Sequence, residues 1–224
     1  MISTRFFAHL QKGSIVRHLG FVIEEAPSDI TAVFGLLAGR NEGTIENCFV
    51  RICAPVPVGD KVSVGGLVGI NEGVIDHSYA YTLWTEDPAF VNKYAEGSLA
   101  GTILPSAKLT SSFGYNGSSY LFQSYPALIA GSAAFPSFGA LAGEWDVSKN
   151  ANDSALYAYS PSQYLYSDRN NANLSFIPNA TEFSKESFYT DKLTFDRKIW
   201  TLPPKVELPE LIKDSVYQYQ EAGK

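Results

Sequence analysis

The stretch GGLVGINEGVIDHSYAYT, residues 65–82, has glycine or asparagine at five of its first nine positions. Thirty residues upstream the chain reads GLLAGRNEGTIENCFVRI, residues 35–52, and the two segments share Gly35/Gly65, Leu37/Leu67, Gly39/Gly69, Asn41/Asn71, Glu42/Glu72, Gly43/Gly73 and Ile45/Ile75. Upstream again, GSIVRHLGF puts Gly13 and Ile15 in the same arithmetic series as Gly43/Gly73 and Ile45/Ile75. The stretch is therefore one copy of a repeat. Looser echoes, GSLAG at 97–101 and GALAG at 139–143, extend it to key leucines at 37, 67, 99 and 141, with intervals of 30, 32 and 42.

A fixed period of this size marks an array in which each unit stacks mainly on its neighbours. Segments such as KVSVGGLVG and CFVRICAPV are short, β-branched and partly alternating, and no window holds a helical period. Thirty residues suit one coil of a parallel β-helix, whereas a four-stranded propeller blade needs roughly 40. The expected fold is all-β: a right-handed parallel β-helix or related β-solenoid of about five to seven coils. Asn41, Asn71 and Gly13, Gly43, Gly73 are expected at corners, because Gly and Asn tolerate positive φ. Leu37, Leu67, Leu99 and Leu141 should form an apolar column, and Asn41 and Asn71 an amide ladder.

The predicted divisions are repeats over 1–160, an aromatic C-terminal cap over 161–204, and a tail or linker over 205–224. The C-terminal third lacks a clear repeat, and Phe183, Phe188, Leu193, Phe195, Ile199 and Trp200 supply an apolar face for covering the end of an open array.

Composition fits this reading. The 224 residues are 45% hydrophobic with 18 Gly, 13 Tyr and 14 Phe against a single Met, enough for a core and rich in turn and strand formers. Net charge is −6 with basic residues scattered singly, which argues against nucleic acid as a partner. No apolar run is long enough to enter a bilayer. Cys48 and Cys53 match no zinc spacing and are read as free, with Cys48 inside.

GGLVGINEGVIDHSYA resembles the GLUG motif, a glycine- and leucine-centred repeat of large bacterial surface proteins, among them adhesin-like proteins and the N-terminal regions of IgA-specific metallopeptidases. The match is carried by Gly65, Gly66, Leu67, Val68, Gly69, Asn71, Gly73, Ile75, Ser78, Tyr79 and Ala80, and FYTDKLTFDRKIWTL at 188–202 is similar to a segment that often follows such repeats. The resemblance implies a bacterial, cell-surface or extracellular setting and adjacent domains in a larger parent protein. It does not carry over peptidase activity, since His9, His18 and His77 are the only histidines and none is followed by Glu.

No metal site, cofactor or catalytic motif is expected. The expected function is a non-catalytic module, an adhesive platform or rigid spacer, with a host glycan or protein as ligand. Tyr115, Tyr120 and Tyr164, set among Ser, Asn and Gly, are the candidate contacts. The rival is a carbohydrate-active enzyme using loop carboxylates such as Asp146, Asp153 and Asp168.

Overall fold

A computed structural model describes residues 5–25, 33–54, 56–57, 63–85, 95–117, 138–139, 141–145, 153–159, 174–212 and 218–220. The chain makes successive passes of short strands, each laid parallel on the last. The first pass holds β1 (Phe7–Leu10), β2 (Ile15–Arg17) and β3 (Gly20–Ile23). The second holds β4 (Val33–Gly35), β5 (Ala38–Asn41), β6 (Thr44–Glu46), β7 (Phe49–Ile52) and β8 (Val56–Pro57). The third repeats this pattern as β9 (Ser63–Gly65), β10 (Val68–Asn71), β11 (Val74–Asp76), β12 (Tyr79–Thr82) and β13 (Trp84–Thr85). The fourth has β14 (Ala95–Gly97), β15 (Ala100–Ile103) and a long β16 (Lys108–Asn116). β17 (Phe138–Gly139), β18 (Ala142–Trp145) and β19 (Ser154–Tyr159) form the fifth, and β20 (Leu174–Phe176) lies on β19.

The protein is all-β with parallel sheets, and the thirty-residue period is its strand register. Val33 pairs with Ser63, Ala38 with Val68, Thr44 with Val74 and Phe49 with Tyr79, all at the same offset. The leucine column is likewise present. Leu37, Leu67, Leu99 and Leu141 are fully buried, and the N–H of each of the first three donates to the carbonyl of the next at 2.9–3.1 Å. Val16, Ile45, Ile75 and Leu109 make a second buried column. Cys48 is buried and Cys53 exposed, both free.

Two expectations are corrected at the corners. In the first pass Val16, not Ile15, pairs with Ile45, and Ser14, not Gly13, stands where Gly43 stands, its carbonyl accepting from Thr44 as the Gly43 carbonyl accepts from Val74. The cause is a longer turn: Ser14 N–H closes on the Gln11 carbonyl at 3.0 Å, with Gly13 at φ 89°, the positive φ that a type II turn requires at its third residue. Gly43 and Gly73 do not have positive φ. They are glycine because the passes crowd: a Cβ at Gly73 would lie 2.1 Å from the Gly43 carbonyl oxygen.

The left-handed corner lies elsewhere. His18 (φ 54°), Asn47 (50°), His77 (45°), Ser111 (47°) and Ala155 (51°) bend successive passes at one equivalent position.

The amides lie where the turn is tight. Asn41 Nδ2 donates to Asn71 Oδ1 at 2.8 Å, and Gly43 N–H donates to Asn41 Oδ1 at 3.0 Å. The same column carries Leu10 in the first pass and Ile103 in the fourth. There the turn hydrogen-bonds itself, Ser14 to Gln11 and Ala107 to Leu104, so no side-chain amide is needed.

The C-terminal segment, expected as a cap packed on the array, lies against the outer rings of β7, β12 and β16. It carries a 3-10 turn (Ala180–Ser184), a π-helical turn (Phe188–Lys192) and the antiparallel pair β21 (Trp200–Thr201) and β22 (Glu210–Leu211). β23 (Gln218–Gln220), from the segment read as a tail, pairs antiparallel with β2.

Candidate functional site

In a strand, alternate side chains point to opposite faces, so on the sheet β3-β7-β12-β16-β19 two columns point outward. One runs Gly20, Phe49, Tyr79, Phe113, Tyr157; the other Val22, Arg51, Tyr81, Tyr115, Tyr159. The C-terminal segment covers the first column and leaves much of the second half-buried.

In the covered column, ring centroids of Phe49 and Tyr79 are 5.3 Å apart at 7°, and those of Tyr79 and Phe113 4.6 Å at 4°. Phe183, Phe188, Tyr189, Phe195 and Trp200 close over them, forming a second apolar cluster outside the sheet. Trp200 Nε1 donates to Asn47 Oδ1 at 3.1 Å, which satisfies its buried polar edge. Arg51 clamps the far end of the segment. Its guanidinium donates to the Tyr79 hydroxyl and to the carbonyls of Leu208 and Pro209, and pairs with Glu210 at 3.2 Å. The Tyr79 hydroxyl in turn donates to the Pro209 carbonyl.

In the half-buried column, Tyr81 and Tyr115 lie 5.1 Å apart and Tyr115 and Tyr159 4.8 Å, tilted by 41° and 48°. Phe183 backs Tyr115 at 4.9 Å. The spacing is that of neighbouring strands, so the sheet sets the pitch of the row. Burial, then the neighbouring Tyr159, Tyr81 and Glu207, push the Tyr115 phenol up to about 12, and burial raises Tyr81 as well. Both therefore remain hydroxyl donors at neutral pH. Because the rings lean on one another, the row offers ring edges and hydroxyls rather than broad faces. That favours reversible polar contact over flat stacking.

Of the three candidate tyrosines, Tyr115 sits in this row, while Tyr120 and Tyr164 lie outside the described residues, as do Asp146 and Asp168. Asp153 is buried, and its Oδ1 accepts from Leu109 N–H at 2.7 Å, continuing the ladder to the next strand. Tyr159 belongs to the same aromatic-rich stretch as Tyr164, YAYSPSQYLY at 157–166, whereas Tyr81 is added by the structure, YAYT and YAYS placing the two at equivalent repeat positions. A small cleft of about 170 Å³ lies beside Trp200, Pro203, Pro204 and Lys205. Among the described residues no cluster of three His, Cys, Asp or Glu is placed to hold a metal ion, and no helix is long and apolar enough to cross a membrane. Comparison with family models, curated proteins and solved structures returns no match to the chain.

Proposed function

We propose that the passes close into a right-handed parallel β-solenoid that serves as a non-catalytic module of a bacterial cell-surface or secreted protein. Its sheets are the scaffold, and the Tyr81, Tyr115, Tyr159 row is the contact surface for a host glycan or protein. The observation that carries this reading is the register: the residues of the GLUG-like motif, Gly35/Gly65, Leu37/Leu67 and Asn41/Asn71, recur at the same place in stacked passes. A sequence whose repeated positions hold backbone and core in place leaves its outward columns available for recognition. The lateral brace fits such a part, since it covers one aromatic column and leaves the next half-buried.

A glycan array and a protein-binding screen test the proposal, run on the parent and on a Tyr81→Ala/Tyr115→Ala/Tyr159→Ala variant checked by circular dichroism. Binding that falls tenfold or more in a folded variant is the expected result, a hot-spot loss of at least about 1.4 kcal/mol. Binding unchanged in the variant would remove the row as the contact surface. Sugars released from a bound glycan would overturn the non-catalytic reading.

A further inference from the structure

Between β11 and the C-terminal segment a chain of hydrogen bonds joins residues more than a hundred positions apart. Asp76 Oδ2 lies 2.8 Å from His77 Nδ1, and His77 Nε2 lies 3.0 Å from Thr194 Oγ1. Ser111 Oγ stands 3.4 Å from the same hydroxyl. Asp76 is held from behind by the Thr110 hydroxyl. With the ring proton on Nδ1, facing the carboxylate, Nε2 can accept from the Thr194 hydroxyl, and once the ring is protonated the Thr194 backbone helps to stabilise the imidazolium. Hydroxyl, imidazole and orienting carboxylate then stand in the order that activates an oxygen nucleophile.

The backbone adds an independent observation. Thr194 has φ 55°, and a β-branched residue in the left-handed region is a strained exception. His77 and Ser111 are left-handed too, but they belong to the recurring corner; Thr194 does not. Its neighbours Leu193 and Phe195 are buried while Thr194 is exposed, so solvent reaches the residue on a backbone held from both sides. Anchoring the segment would require only a residue at ease in that conformation, such as glycine or asparagine. Strain concentrated on a polar group that solvent can reach is the pattern of a reactive position.

We propose that Thr194 is a nucleophile that accepts acyl groups from activated esters, with His77 as its general base and Asp76 as the residue that positions His77. Thr194 Oγ1 attacks the ester carbonyl carbon while its proton passes to His77 Nε2. The ester C–O bond breaks, the leaving oxygen takes the electron pair, and the imidazolium returns the proton to it or to solvent. The product is an acyl ester on Thr194, which water, deprotonated by the same imidazole, hydrolyses to the free acid. No oxidant or metal enters the balance. The proposal does not depend on the scaffold reading; it adds an acyl-transfer activity at a place apart from the Tyr81, Tyr115, Tyr159 row and so confines the non-catalytic description to that row and the sheets that carry it.

The charged groups facing His77 are Asp76 on its own strand and Glu46 on the preceding pass, the latter paired with Arg17; the following pass and the C-terminal segment contribute the neutral Thr110, Ser111, Thr194 and Phe195. The Asp76 hydrogen bond leads in raising the His77 pKa. Acylation should therefore increase with pH to a plateau whose midpoint lies above the ordinary histidine value.

The test uses the full chain and p-nitrophenyl acetate, with p-nitrophenolate release followed by absorbance and the acetylated peptide located by mass spectrometry. Expected are a burst, an acetyl group on Thr194, and loss of about a hundredfold or more in rate for Thr194→Val and His77→Asn. His77→Asn should keep the fold, which circular dichroism checks, because Asn47 adopts the same torsion at the equivalent corner one pass earlier. Thr194→Ser, with the hydroxyl retained, should restore the reaction. Asp76→Asn should lower the rate and displace the pH midpoint downward, which a purely structural role would not do. Acetyl groups on lysines only, or a Thr194→Val variant that reacts as fast as the parent, would overturn the proposal.

Discussion

Glycine at 73 answers to volume, whereas glycine at 13 answers to torsion, and a single substitution separates the two. Gly13 has φ 89° in a solvent-facing turn, so Gly13→Asn, which tolerates positive φ, should leave the urea midpoint nearly in place. Gly73→Asn should lower it sharply, since any Cβ there meets the Gly43 backbone carbonyl, which cannot swing aside as a side chain can. Leu67→Ala, from a fully buried column, should cost about 2 to 5 kcal/mol by the same measurement. The Asp76–His77 pair gives a pH dependence. Burial alone would raise Asp76, but hydrogen bonds from His77 and Thr110 outweigh it and its pKa is lowered; the pKa of His77 is raised, first by Asp76. The histidine contribution is complete below its unfolded value of about 6.5 and is lost as pH rises through the folded value; the aspartate contribution is present above about 3.9 and is lost as pH falls through its folded value. The destabilisation caused by Asp76→Asn should thus be greatest near pH 5 and shrink toward pH 8, as urea midpoints across pH will show. The amide ladder of Asn41 and Asn71 was legible in the sequence because one residue type recurs at the period. The left-handed corner was not, because His18, Asn47, His77, Ser111 and Ala155 adopt the same torsion with different side chains.

Strands and their stacking follow from the period, but the C-terminal segment has none, and its aromatic residues were read as an end cover. What decides its place is the outward column Phe49, Tyr79, Phe113, which would otherwise expose three large rings on the side of the sheet. Alternation in CFVRI and SYAYT identifies those rings as outward, yet nothing local says that residues 177–212 will cover them. The long-range polar anchors are few, such as Trp200 with Asn47 and Arg51 with Leu208 and Pro209. Trp200 is 1% exposed, so Trp200→Ala should cost about 3 to 5 kcal/mol. Arg51→Met tests the other anchor. It keeps much of the side-chain length but leaves the Leu208 carbonyl without the Arg51 donor and takes one of two donors from the Pro209 carbonyl, which keeps the Tyr79 hydroxyl; a part-buried acceptor so stranded costs about 1 to 3 kcal/mol. If the segment is held at these two points, both variants should be cut by protease within residues 177–212 well before the sheets are, as a time course read by mass spectrometry would reveal. Cleavage beginning instead between β5 and β12 would mean that the segment is no less stable than the stack.

Across the whole molecule, parallel stacking leaves an edge problem at the first pass, where β2 has β6 on one side only. An uncovered strand edge is a template for another chain. Here the chain covers β2 itself: β23, from the far end of the sequence, pairs antiparallel, with Val16 opposite Tyr219. The reversal of direction matters, because a parallel strand would continue the array whereas an antiparallel one interrupts its repeat. Residues 218–220 thereby tie the last part of the chain to the first pass while β20 occupies the other end of the stack. Removing residues 213–224 should uncover β2 and produce concentration-dependent association, with sedimentation velocity showing larger species than the parent forms at equal concentration. A Tyr219→Pro variant, which loses a backbone donor in the middle of β23, should shift in the same direction with a smaller effect. A truncated chain that sediments like the parent at every concentration would show that β23 does not guard this edge.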